Sequence, residues 1–338
     1  MEPLTDVRQI SRIAYGYMAS QALFTALEFG LFTSLSGKSN SLQGLAGDTG
    51  IAANRLESLL AALVSLGLLV KEGGRFANAP ASETYLVRGA PGDYGEYLRV
   101  VNGRMFYSGF AKLEPALRGE RAFSDKGFYD GVFYQANLDA ADFSKAQHDG
   151  SMGPATLLAK RFDLSDCGRL LDVGGGSGAF TIALCRRNPE LTSTILDFPA
   201  TVETAREYVA AAGLPERIGH LSGNALTTDW PGGQDVVLMS YLWSAVGRDD
   251  IANLARRAHE ALKPGGRVLV HDFMAAKTGD GPPIAVWHLL GSIIDNPEAV
   301  CLTAEFVSGI LDEAGFTGMD ASELLPGITT VVTARKEG

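Results

Sequence analysis

Cysteine is scarce in this chain. Three in 338 residues, Cys167, Cys185 and Cys301, lie far apart with no paired spacing. That pattern excludes a disulfide framework and a cysteine-ligated zinc site, and it fits a reducing compartment, read here as the cytoplasm. No metal is expected. No apolar run reaches ~18 residues, so no membrane-spanning helix is expected. No basic segment leads into an apolar one after Met1-Glu2-Pro3, so no signal peptide is expected. Positive charge is also short. Lys and Arg number 29 against 39 Asp and Glu, a net charge of −10 with a pI of about 5.1, which argues against a nucleic-acid-binding surface. Repeats and low-complexity tracts are missing. What remains is 46 % apolar, enough for a real core, in a length that suits about two domains.

The richest stretch is Leu170-Leu171-Asp172-Val173-Gly174-Gly175-Gly176-Ser177-Gly178-Ala179-Phe180. An apolar run enters a glycine cluster and helical spacing resumes at once, which predicts a buried parallel strand, a tight turn and a helix. Without Cβ atoms the turn is sharp and a ligand can come close. The helix start adds unpaired N–H groups suited to a carboxylate or phosphate. Nineteen residues past Gly178 comes Asp197, ending a second apolar strand, where an acid can accept hydrogen bonds from ribose hydroxyls. Gly174-x-Gly176-x-x-Ala179 also satisfies the dinucleotide pattern, so the turn alone leaves two cofactors open, besides a purely structural glycine turn.

Along the chain, residues 7–36 read as helix with a break at Gly30, followed by a short helix over 41–48 and a third over 52–66. Two short strands, 67–70 and 75–77, join through Gly73-Gly74. Helices and a wing of this kind invite a DNA-binding regulator. Against that, the would-be recognition helix carries one Arg and one Glu, Arg55 and Glu57, and is otherwise mostly Leu, Ala and Ser, too few polar contacts for a groove. A helical stretch over 94–117, an aromatic-rich loop over 127–139 and a helix over 143–161 follow. Strands are then expected at 170–173, 192–196, 218–222, 235–240 and 267–272, with helices at 180–187, 202–212 and 249–262 between them. A helix over 303–314 precedes two closely spaced strands, 319–324 and 329–334. The fold class is therefore α/β: a doubly wound, mostly parallel seven-stranded sheet closed by an antiparallel hairpin. That ending is associated with class I methyltransferases and favours S-adenosylmethionine (SAM) over a nicotinamide cofactor.

With both halves placed, the chain resembles the small-molecule O-methyltransferase family, which includes caffeate and hydroxyindole methyltransferases and the C-methylating bacteriochlorophyllide C-20 enzyme. The first part of the resemblance is Ala26-Leu27-Glu28-Phe29-Gly30-Leu31-Phe32, Leu45 to Gly50, Leu56 to Leu69 and Tyr85-Leu86, the pattern of a winged-helix-like dimerisation domain. Leu171 to Gly178, Leu196-Asp197-Phe198-Pro199, Gly223-Asn224 and Ala261 to Arg267 make the second. The resemblance implies a dimerisation domain over 1–100, a helical linker over 101–160 that contributes to the substrate pocket, and a Rossmann-like catalytic domain over 161–338. It implies SAM as cofactor, with Gly174 and Gly176 at its methionine end, Asp197 on the ribose, Phe198 flanking the adenine, Asn224 bonding the adenine amine, Ala225 beside the ring, and Ser240 where a Lys or Arg is frequent. It also implies a homodimer whose exchanged helices bring Tyr15 or Met18 to the partner's pocket.

One departure stands out. Where O-methylating members read Leu-His-Asp-Trp, with the His as base, this chain reads Tyr241-Leu242-Trp243-Ser244-Ala245-Val246. Trp and Ser cannot take a proton at neutral pH. Asp272 corresponds to the acid that orients the missing His. Trp243 is expected to contact the substrate. Of the five histidines, His259 reads as surface and His220 as structural. His271 and Asp272 alternate on one strand end, and the family register favours Asp272 as the one facing the site. His148 is a candidate pocket residue, and so are Phe106, Phe143, Trp287 and Asp295. Met105, Met152, Tyr107, Phe133 and Tyr134 read either as cavity lining or as ordinary core. His288, on an apolar helix, is either a satisfied core residue or the base. Its apolar neighbours should keep it neutral. Two functions follow: methylation of an aromatic or conjugated small molecule, with carbon favoured over oxygen by the missing His, or a non-methylating reaction on the same SAM-binding fold.

Overall fold

The computed structural model describes residues 2–120 and 140–338, and the side chains of all of these except residues 140, 141 and 295. The 127–139 stretch with Phe133 and Tyr134, and the Asp295 side chain, thus lie outside the described residues. The chain divides into two compact units, residues 1–107 and 108–338. Residues 101–107 fall in the first unit, and 108–120 and 140–161 in the second.

The first unit begins with α1 (Val7–Ala14), capped by Asp6, whose carboxylate accepts from the Arg8 backbone N–H, and buries no side chain of its own. Helix α2 (Gly16–Glu28) follows, so the single helix expected over 7–36 is interrupted at Tyr15 as well as at Gly30. Gly30, at φ 63°, turns the chain into α3 (Leu31–Ser34). Ser41 caps α4 (Leu42–Thr49) through the Gly44 N–H, and α5 (Ala53–Ser65) buries Leu56, Leu60 and Leu63 on one stripe. These leucines close a core with Leu31, Phe32, Leu45, Leu69 and Phe76. The wing is β2 (Leu69–Glu72) against β3 (Arg75–Asn78), turning through Gly73 and Gly74 at φ 54° and 76°. Two successive left-handed residues match the right-handed twist of a tight hairpin. A short edge strand, β1 (Asn40–Ser41), joins β3 and was not expected. After α6 (Pro80–Tyr85) and α7 (Gly95–Tyr97), residues Leu98–Phe106 form a nine-residue π-helical stretch. Such stretches are rare and usually single-turn bulges. Short helices α8 (Tyr107–Phe110) and α9 (Leu113–Leu117) end this part of the chain.

The second unit is led by α10 (Ala140–Arg161). Its seven strands are β4 (Arg169–Val173), β5 (Thr192–Asp197), β6 (Ile218–Ser222), β7 (Gln234–Ser240), β8 (Leu262–Asp272), β9 (Phe316–Leu325) and β10 (Thr329–Lys336), in spatial order β6-β5-β4-β7-β8-β10-β9. Strands β4 to β8 pair in parallel, while β10 runs antiparallel to both β8 and β9. Two cores lie in this unit, one around Val237, Met239, Leu254 and Leu311, the other around Leu158, Leu170, Ile195 and Val331. Every residue of β7 is buried, as a central parallel strand requires. Helices α11 (Ala179–Arg187), α12 (Pro199–Ala211), α13 (Arg248–Ala261), α14 (Pro283–Asp295) and α15 (Ala304–Glu313) complete it. One boundary differs from expectation: Leu262 to Gly266 already belong to β8.

Candidate active site

The glycine turn leaves β4 with Gly174 donating to the Leu196 carbonyl at 2.8 Å. Gly174, Gly176 and Gly178 all adopt left-handed φ, 67°, 57° and 80°. A Cβ on Gly178 would lie 2.7 Å from Ile195 Cδ1, and one on Gly175 would lie 2.8 Å from Asp172 Cγ, so both positions are closed to larger residues. A Cβ on Gly176 would meet nothing within 4 Å. Space for a ligand lies on that side.

Two carboxyls frame the turn. Asp172 is fully buried; Thr181 Oγ1 donates to its Oδ2 at 2.6 Å, and its Oδ1 has no partner. Desolvation, helped by the nearby Asp197 charge, pushes it up to about 7. Asp197 accepts from the Gly176 N–H at 2.8 Å through Oδ2 and from the Phe198 N–H at 2.7 Å through Oδ1. Burial raises its pKa, and those N–H groups with the Thr201 side chain pull it back. A carboxylate offers about four acceptor positions, so with three donors placed it can still accept from a hydroxyl. Phe198, the next residue, is 44 % exposed. Open space at Gly176, an acceptor at the strand end and an exposed flat ring together fit an adenosine-bearing cofactor.

The far side of that site differs from expectation. Asn224 is exposed, and its Oδ1 accepts from the Leu226 N–H at 2.8 Å, so the oxygen expected to meet an adenine amine serves its own turn. Ala225 packs against the core while its carbonyl accepts from Trp230 Nε1 at 3.0 Å. Ser240 is buried. Its hydroxyl lies 2.8 Å from His271 Nδ1, whose Nε2 lies 2.9 Å from Thr329 Oγ1. His271 is fully buried and lowered to about 3 by desolvation, a neutral cross-link between β7, β8 and β10.

At the end of β7 the chain turns through Tyr241, the one described non-glycine residue with positive φ, at 56°. Such a conformation costs on the order of 1–3 kcal/mol and persists only where its surroundings impose it. A 3-10 turn, Trp243–Ala245, then carries Trp243 inward. Trp243 has no exposure, and its Nε1–H points at Met239 Sδ at 3.3 Å. Trp243, expected to contact the substrate, is packed in the core. Asp272, fully buried and pushed up to about 6 by desolvation, accepts from the Ser244 N–H at 3.0 Å and the Phe273 N–H at 2.9 Å. It pins the turn rather than orienting a base. His288 stacks on Phe273 with ring centroids 3.8 Å apart and planes 7° apart, and burial lowers it to about 4.

Other candidates scatter. His148 is buried beside the glycine turn, its Nδ1 2.8 Å from Ser177 Oγ. Trp287 is 60 % exposed. Phe143 is half-buried on α10, and Phe106 is half-buried at the end of the π-helical stretch in the first unit. His259, expected at the surface, is half-buried edge-on against Phe316 at 5.1 Å. His220 sits on β6, as a structural residue would. Sequence reasoning missed Tyr208, Phe273 and Thr329. Phe273 could have been found as the residue just past a strand end; nothing local marks the other two. Among the described residues no cluster of His, Cys, Asp or Glu could hold a metal ion.

A family model for the O-methyltransferase domain matches residues 112–317, and one for the O-methyltransferase dimerisation domain matches residues 11–88. The chain belongs to the O-methyltransferase family. It is 31 % identical to a Streptomyces sahachiroi 3-hydroxy-5-methyl-1-naphthoate 3-O-methyltransferase, over 81 % of this chain and 79 % of that one. It is 30 % identical to the Streptomyces glaucescens tetracenomycin polyketide synthesis 8-O-methyl transferase, over 99 % of both. An L-tyrosine C(3)-methyltransferase of Streptomyces lavendulae is 28 % identical over 83 % of this chain and 78 % of that one. The fold matches human N-acetylserotonin methyltransferase in complex with SAM, at a TM-score of 0.87, 24 % identity and full coverage of both chains. As an O-methyltransferase family member the protein is a SAM-dependent methyltransferase, and its glycine turn with Asp197 and Phe198 fits that cofactor. Among the described residues no helix is long and apolar enough to cross a membrane.

Proposed function

We propose that this enzyme methylates an aromatic or conjugated small molecule of biosynthetic metabolism, at a ring carbon or at an oxygen acidic enough to be ionised already. One observation carries this reading. Where a base is expected, Ser244 gives its N–H to Asp272 and Trp243 is sealed in the core, while His288 is lowered to about 4. An unactivated phenol would need a stronger acceptor. The carbon-methylating tyrosine relative and the naphthoate and tetracenomycin relatives support an aromatic acceptor.

SAM supplies an electrophilic methyl group when bound. The chain's share is to hold and to dry. Gly174 and Gly176 let the backbone approach the methionine end. Asp197 accepts from the ribose, and Phe198 covers the adenine, with Asn224 and Ala225 at its rim. Asn224 would then offer its amide N–H groups to a ring nitrogen. Holding two reactants at a fixed distance is worth ~7–11 kcal/mol in well-oriented systems, so placement can carry most of the rate. His288 takes the departing proton at a ring nitrogen. The burial that keeps it neutral also makes it a weak base, which suffices for the strongly acidic proton of a ring carbon that has just been alkylated. The protein works as a homodimer through its dimerisation domain, where α1 exposes Val7, Ile10 and Ile13 by 72 %, 57 % and 71 %. Such a face marks an interface.

The test is incubation with methyl-labelled SAM and a panel of phenols, naphthols and anthraquinone-like polyphenols, with products placed by NMR. Label on a ring carbon or an acidic hydroxyl supports the reading. Substrate consumed with SAM intact would favour a non-methylating reaction on the same fold and would overturn it.

A further inference from the structure

We infer that His148 is a positioning residue for the cofactor turn, latching Ser177 to helix α10. The inference rests on the reading that this turn receives SAM. Three left-handed glycines make the turn sharp, and its ends are held by the Gly174 N–H on the Leu196 carbonyl and the Gly178 N–H on the Gly175 carbonyl. Between those two bonds, Gly176 and Ser177 are held from outside. On one side, Asp197 accepts from the Gly176 N–H at 2.8 Å. On the other, one residue along, Ser177 Oγ lies 2.8 Å from His148 Nδ1. Adjacent residues of the turn are thus gripped from opposite elements, the end of β5 and the first half of α10.

The imidazole is itself held. Its ring lies parallel to Tyr208 of α12, with centroids 3.6 Å apart and planes 13° apart. Both members of the latch are buried, with Ser177 6 % exposed and His148 9 % exposed. Buried, the hydrogen bond does not compete with water, and losing either partner strands the other. Desolvation lowers His148 to about 4, so at neutral pH it is an uncharged ring with one donor and one acceptor nitrogen. A single side chain thereby ties α10, the glycine turn and α12. Any shift of α10 reaches Ser177 directly.

The test is calorimetric titration of full-length dimeric enzyme with SAM and with its demethylated product. Variants are Ser177→Ala, His148→Phe, which keeps the stack and loses the bond, and His148→Asn, whose amide can occupy the Nδ1 position. One buried hydrogen bond corresponds to about three- to tenfold. Ser177→Ala and His148→Phe should each weaken both ligands by that factor, and the double variant should be no worse than either. His148→Asn should recover most of the loss. KM for SAM should rise more than kcat falls. A His148→Phe protein that melts earlier but binds SAM within twofold of wild type would overturn the latch, as would losses that multiply in the double variant. If His148→Phe does not fold, Ser177→Ala alone decides: unchanged affinity refutes the latch. Wild-type enzyme that bound no SAM would instead sink the cofactor reading of the turn.

Discussion

Asp197 is the residue whose removal should separate cofactor binding from folding, and the structure changes the size of that expectation. Its carboxylate holds the Gly176 and Phe198 N–H groups at 2.8 and 2.7 Å, besides whatever it offers a ribose. In Asp197→Ala both donors lose a charged acceptor. Hydrogen bonds to charged groups contribute about 1.5–3 kcal/mol each, and water can replace part of that at a half-buried site. A stability loss of about 1–2 kcal/mol is therefore expected, well within what a folded domain tolerates. Affinity should suffer more. The ribose hydroxyls would lose their acceptor and the turn one of its restraints, so at least about 2 kcal/mol, roughly thirtyfold, is expected. Asp197→Asn keeps one acceptor oxygen and should fall between. Urea unfolding measures the first quantity and calorimetric titration with SAM the second. Reasoning from Asp197 to the ribose is refuted if the alanine variant binds SAM as wild type does, or if its affinity loss is no greater than its loss of stability.

Four further outcomes are expected. His288→Ala should cut turnover at least about tenfold, with SAM affinity unchanged, in steady-state and calorimetric assays. Trp243→Ala should destabilise by about 3–5 kcal/mol in urea unfolding because it empties a fully buried site; unaltered stability would return Trp243 to the candidate pocket. Stability should rise with pH by about 1.4 kcal/mol per unit between about pH 4.5 and 6. In that window the unfolded chain protonates His148, His271 and His288, which the fold keeps neutral with values of about 4, 3 and 4. The fold keeps protons on Asp172 and Asp272, at about 7 and 6, which the unfolded chain releases. Among these five groups, three against two leaves one extra proton on the unfolded chain; the lowered His220 and His259 act in the same direction and the raised Asp197 against it. A slope of opposite sign in urea titrations at about pH 5 and 6 would refute this. Ile13→Asp, on the exposed face of α1, should turn a dimer into a monomer by light scattering.

Side-chain direction was the part of the site least legible beforehand. Ser240 and Asp272 were chosen by register, and both sit where the register puts them, at the C-terminal ends of β7 and β8. Their partners were not readable. Ser240 meets a histidine on the neighbouring strand, and Asp272 meets the backbone of a turn that starts three residues past β7. Trp243 was expected at the substrate because it stands where O-methylating members carry the base His. The left-handed Tyr241 instead redirects the chain, and the indole goes under the sheet. His288 was more accessible to reasoning: an apolar helix predicts a desolvated ring, and desolvation does lower it.

Local chemistry determined the rest. Alternating apolar runs and helical stripes specify strand and helix within a few residues, and they specify the closing antiparallel strand because too few residues separate β9 from β10 for a crossover. Glycines at Gly174, Gly176 and Gly178 permit a left-handed turn that other residues resist, and the nineteen residues to Asp197 leave just enough chain for one helix and one strand. Only the tertiary structure decided which polar groups meet. His148 finds Ser177 at a separation of 29 residues, Ser240 finds His271 at 31, and His271 finds Thr329 at 58. A hydrogen bond across such distances depends on strand order and helix docking, which no local pattern carries. Burial follows from the same packing, and burial is what sets the charge of every histidine and aspartate on which the site depends.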